Sequence, residues 1–113
     1  MRKLVLSTQN FFQYVSEGSF HLPYNDFSYD LVLAEHVLFL DVEQYDIEFH
    51  IQSICELARV GKEVQIYPLV DHTEQPSPLL GPILLALHQE NYGVEVKHEK
   101  YPILRVWAQE CLL

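Results

Sequence analysis

A chain of 113 residues with a formal charge of −9 has room for one domain and can bury roughly 65% of the surface its unfolded form exposes. Hydrophobic residues make up 49% and charged residues 20%, which excludes a disordered composition and places the chain among globular proteins. An acidic surface of this strength repels phosphate backbones and anionic headgroups, which argues against nucleic acid and membrane as partners.

The start, Met1 to Ser7, is basic but lacks the apolar length of a signal peptide or a membrane span, so a cytoplasmic location is the expectation. Residues 1–20 form an atypical N-terminal segment in which Phe11, Phe12, Tyr14 and Phe20 gather aromatic surface. These rings are expected to cover a sheet edge, with an interface as the alternative. Leu31-Val32-Leu33-Ala34 is apolar on both faces and follows turn-forming residues, the pattern of a buried strand in a parallel sheet. Glu35 and His36 come next, then a second apolar run, Val37 to Leu40, whose periodicity fits helix and strand equally. From Asp46 to Val60 the period changes: Ile47, Ile51, Ile54 and Ala58 recur at helical spacing, and Gly61 is placed to close the helix in a left-handed conformation. Cys55 reads as a small buried hydrophobe.

Glu63 to Leu69 predicts a strand limited by Pro68, and 70–76 a loop. Ser77-Pro78 opens a second helix that runs to about Asn91, with Gly93 as its stop. Val94 to His98 alternates like a partly exposed strand, and Ile103 to Trp107 supplies a last one. The alternation predicts an α/β fold: a mostly parallel sheet flanked by helices, with one antiparallel strand near the C-terminus. The six histidines show no His-x-x-x-His or Cys-x-x-Cys pairing, and Cys55 and Cys111 form no disulfide framework, so no metal site is expected.

Several segments resemble the C-terminal half of the class I, Rossmann-like, S-adenosylmethionine-dependent methyltransferases. Leu22-Pro23-Tyr24, Asp26-Phe27-Ser28-Tyr29-Asp30 and Leu31-Val32-Leu33 are similar to the stretch leading into that family's fourth strand. Glu56-Leu57-Ala58-Arg59-Val60 resembles the helix before its fifth strand, and Gly61 to Leu69 resembles the strand itself. The likeness covers about residues 17–101, and 21–113 is read as the methyltransferase-like portion.

The resemblance implies S-adenosylmethionine as cofactor, with Phe20, His21 and Ala34 beside it, Glu35 and His36 as catalytic candidates, and Tyr67, Asp71 and His72 lining a substrate pocket. Glu35 and His36 also qualify by position, because open α/β sheets bind ligands at the carboxyl ends of their strands. The family's glycine-rich cofactor loop has no counterpart: Gly18, Gly61, Gly81 and Gly93 are the only glycines, and none forms a G-x-G. Two readings follow. One is a methyltransferase half, truncated or completed by another chain, that does not bind the cofactor alone. The other is a non-catalytic structural or interaction module, forming a homodimer through the open edge of the sheet or pairing with a chain that completes it. Leu4-Val5-Leu6 is the segment that could close that edge in cis.

Overall fold

In the computed structural model, residues 1–37, 46–70, 76–97 and 102–108 are described. Seven strands and two α-helices follow one another along them: β1 (Lys3–Leu6), β2 (Val15–Ser16), β3 (Ser19–Phe20), β4 (Tyr29–Glu35), α1 (Ile47–Val60), β5 (Gly61–Tyr67), α2 (Leu80–Gln89), β6 (Tyr92–Lys97) and β7 (Ile103–Ala108). Five strands make one sheet in the order β1-β4-β5-β7-β6, and β2 and β3 form a separate small hairpin.

The fold is α/β, but the sheet is mixed rather than mostly parallel. β1 and β5 flank β4 in parallel, whereas β7 pairs antiparallel with β5 on one side and β6 on the other. The reason is connectivity. The connection from Lys97 to Ile103 is too short for a crossover to a parallel strand, and β7 inserts between β5 and β6, so both of its ladders are antiparallel. The atypical N-terminal segment belongs to the same sheet: Leu4 pairs with Val32 and Leu6 with Ala34, so β1 closes the outer side of β4 in cis.

Side chains alternate across each strand. Leu6, Val32, Ala34, Val64, Ile66, Leu104 and Val106 are fully buried on the face that receives α1. Ile54, Leu57 and Ala58 of α1 complete that core. Phe11 stacks on Phe20 at 4.3 Å between ring centroids and meets Phe49 of α1 edge-on at 6.5 Å. The early aromatics thus pack against a helix, with Phe12 left 38% exposed.

α1 starts where Asp46 accepts a hydrogen bond from the Phe49 amide at 2.9 Å, an N-cap that satisfies one orphan donor. Its end departs from expectation. Gly61 is extended (φ −114°, ψ 142°) and begins β5 directly. A methyl group there would meet Val32, so the glycine serves close packing, not a left-handed cap. α2 is also shorter than the sequence suggests, from Leu80 to Gln89, and the left-handed residue after it is Asn91 (φ 67°). Gly93 lies inside β6, where a Cβ would collide with the Trp107 ring. Gly93→Ala is therefore expected to displace Trp107. It is the chain's single tryptophan, so a shift in emission maximum reads the change directly, and an unaltered spectrum would refute the close approach.

His50 is buried on α1, and its Nδ1 donates to the Asp46 carbonyl at 2.8 Å. Burial holds its pKa below the usual histidine value, against the smaller upward pull of the Asp46 hydrogen bond and charge. A lowered histidine pKa means the unfolded chain binds the proton first. The stabilisation is present above about pH 6.5 and is lost as pH falls from there through the folded value. Urea midpoints are expected to drop between about pH 7.5 and about pH 5, and His50→Gln to flatten that slope. An equal slope in the variant would show that other groups carry it.

Candidate functional site

The parallel register sets Glu35 beside Tyr67 at the carboxyl ends of β4 and β5. Open α/β sheets bind ligands at such carboxyl ends. The Glu35 carboxylate beside the Tyr67 phenol, together with burial, pushes the phenol pKa up to about 12. His36 follows in a left-handed conformation (φ 57°), unusual for a residue with a Cβ. Its amide donates to the Tyr67 carbonyl at 2.9 Å, and its ring meets the Tyr67 ring edge-on at 6.2 Å. Three of the residues singled out in the sequence, Glu35, His36 and Tyr67, thus form one cluster: a half-buried carboxylate, a phenol beside it and an exposed imidazole. Such a set can accept hydrogen bonds from a polar ligand and take a proton from it.

The remaining candidates are placed elsewhere. Ala34 is fully buried under the helical layer, so only its backbone faces the strand end. Phe20 is 3% exposed and serves the core. His21 lies on the rim of an open groove of about 710 Å³ between the β2–β3 hairpin, α1 and the start of β6. Asp71 and His72 lie outside the described residues, as do Leu38 to Leu40 of the second apolar run.

Arg59 is the residue that sequence reasoning missed. Its guanidinium donates to both Glu56 oxygens (2.7 and 2.8 Å), to Asp26 (2.9 Å) and to the carbonyls of Leu22 (3.1 Å) and Tyr24 (2.8 Å). Glu56 in turn accepts from the Leu22 amide at 2.7 Å. Burial alone would raise the Glu56 pKa, but Arg59 and that amide outweigh it and hold the carboxyl low. The segment leading into β4 is fastened to the last turn of α1. Arg59 carried no signal of its own in the sequence, since a charge near a helix C-terminus is ordinary.

In the same groove the half-buried Cys55 thiol lies near the Tyr92 hydroxyl, and burial raises both pKa values, that of Tyr92 to about 12. Cys55 is therefore less buried than a purely apolar reading suggests. Among the described residues, no group of three His, Cys, Asp or Glu side chains is close enough to hold a metal ion. No described helix is long and apolar enough to cross a membrane. Compared with known proteins, the chain matches no family model, no curated protein and no solved structure.

Proposed function

We propose that the chain is a methyltransferase-type half-domain that carries the acceptor side of the site and does not hold S-adenosylmethionine by itself. The observation that supports this is the convergence of Glu35, His36 and Tyr67 at the carboxyl ends of adjacent parallel strands. Those are the residues that the resemblance places nearest the chemistry. In this reading Glu35 and Tyr67 orient a polar acceptor, and His36 takes the proton that the acceptor loses.

The residues after β1 do not fit a cofactor cradle. Where a glycine-rich loop would offer free amides, the turn at 7–10 turns those of Ser7, Gln9 and Asn10 inward. The Ser7 amide donates to Asn10 Oδ1 (2.7 Å), Gln9 to Ser7 Oγ (3.4 Å), and Asn10 and Phe11 to the Ser7 carbonyl (3.1 and 2.9 Å). Asn10 also bonds the Val5 carbonyl at 3.0 Å, which locks the turn.

The test is an NMR titration of the chain with S-adenosylhomocysteine, with calorimetry alongside. No binding, or shifts only at millimolar ligand, is expected, any such shifts falling at Glu35, His36 and Tyr67 and being abolished by Glu35→Gln. Micromolar affinity would overturn the claim of a missing cofactor half. Binding at millimolar ligand that shifts other residues and spares these three would overturn the methyltransferase reading and favour the structural module, for which the internally bonded turn at 7–10 is the supporting observation. With β1 already beside β4, a homodimer edge in that module would be the outer side of β1 or of β6.

A further inference from the structure

Every described element outside the five-stranded sheet lies on one side of it. α1 packs on β4, β5 and β7, α2 packs on β6 and on α1, and the hairpin packs on α1. The opposite face is a separate surface. Lys3 and Val5 of β1, Leu31 and Leu33 of β4, and Glu63 and Gln65 of β5 point into it by alternation, as do Ile103, Arg105 and Trp107 of β7. Leu31, Leu33, Ile103 and Trp107 are half-buried without joining the core, and Val5 is 38% exposed. Parallel strands in α/β proteins are ordinarily covered on both faces, because their side chains are apolar on both. Here one cover is present among the described residues.

The charges on this face differ from those of the whole chain. Arg105 bridges Glu63 at 2.8 Å and Glu95 at 2.9 Å, and its guanidinium lies 5.4 Å from the Trp107 ring centre. Lys3, Lys97 and Arg105 balance Glu35, Glu63 and Glu95, three charges of each sign, in a chain whose net charge is −9. Elsewhere a second copy meets net repulsion; on this face it does not. Five strands about 4.8 Å apart and some six residues long give a footprint on the order of 400 Å². That is small beside the roughly 800 Å² per partner of a standard interface, and so fits a weak pair.

We infer that the uncovered sheet face is a self-association surface, on which a second copy of this chain docks sheet to sheet. The packing is isologous, with the two sheets about 10 Å apart. A two-fold axis across the strands stacks the Val5–Leu33 side of one sheet on the same side of the other. It also sets Arg105 against a second set of the carboxylates that already flank it. This inference does not depend on the proposed function.

Sedimentation equilibrium tests it, with acrylamide quenching of Trp107 measured over the same concentrations. A dimer forming at tens to hundreds of micromolar is expected, with Trp107 growing less accessible to quencher as it forms. Val5→Lys, at an exposed position of that face, is expected to weaken the dimer at least tenfold, and Leu85→Lys, on the outer side of α2 where Leu85 is 59% exposed, to leave it unchanged. Three outcomes overturn the inference: a monomer throughout the range, a dimer in which Trp107 stays equally accessible, or a dimer indifferent to Val5→Lys. The last two would point to an edge-to-edge pair or to another occupant of the face.

Discussion

Replacing Arg59 by methionine is expected to lower the unfolding free energy by about 2–3 kcal/mol, among the larger effects of any single surface-reaching substitution. Methionine keeps the aliphatic stem and removes only the guanidinium. The loss then falls on five acceptors at once: two Glu56 oxygens, Asp26, and the carbonyls of Leu22 and Tyr24. The Asp26 contact contributes little, because Asp26 is 69% exposed and solvent screens the pair. The Glu56 contact matters more, since that side chain is only 12% exposed and is left facing the protein without its cation. Lysine at this position is expected to recover less than half of the loss, because a point charge cannot span a carboxylate and two carbonyls together. Urea unfolding followed by Trp107 fluorescence measures both variants. Equal stability of Arg59→Met and the parent would show that the segment before β4 is held by its apolar contacts alone.

Glu56 adds a sign to this expectation. Its carboxyl is held below its ordinary pKa in the folded chain, so its stabilisation is present above the unfolded value and is lost as pH falls through the folded one. In Arg59→Met that cause is gone, and the variant is expected to lose less stability on acidification than the parent.

Periodic burial made the strands and α1 legible. Val32 and Ala34, Val64 and Ile66, and Ile54 and Leu57 sit in the apolar runs that the sequence displays, and all are buried. Glycine was misread, because its two uses look alike in a sequence. Gly61 and Gly93 each follow a helical stretch, as a C-cap would, yet both are explained by a neighbour's side chain, Val32 or Trp107, that tolerates no Cβ. Those neighbours are distant in the chain, and no local pattern reports them. The antiparallel strand near the C-terminus was legible, and β7 is that strand; its insertion between β5 and β6, which makes the sheet mixed, was not, because a strand's place in a sheet is set by its partners. At the candidate site, Glu35 and His36 were legible as the end of a buried strand. Their closeness to Tyr67 is a matter of register between two strands, and Arg59's clamp depends on a fold-back of more than thirty residues.

Leu6→Asp is expected to abolish folding, or to detach β1 and leave a destabilised remainder. Leu6 is fully buried opposite Ala34 in a strand of only four residues. Removing the leucine side chain alone costs about 2.7–5 kcal/mol at a well-packed site, and a carboxylate in its place adds several more unless it is protonated or escapes to water. The sum is comparable to the 5–15 kcal/mol that holds a typical domain together. Val5→Asp is the internal control. It stands one residue earlier on the same strand, points to the opposite face and is 38% exposed, so about 1 kcal/mol is the expected cost there, from lost strand preference. Circular dichroism and urea midpoints of the two variants separate the cases. A large gap between them shows that β1 is an integral strand whose inward side chain seals the outer flank of β4, placing the turn at 7–10 firmly at the carboxyl edge. Similar, small losses in both would show β1 to be a dispensable cover, and β4 to be stable as an edge strand on its own.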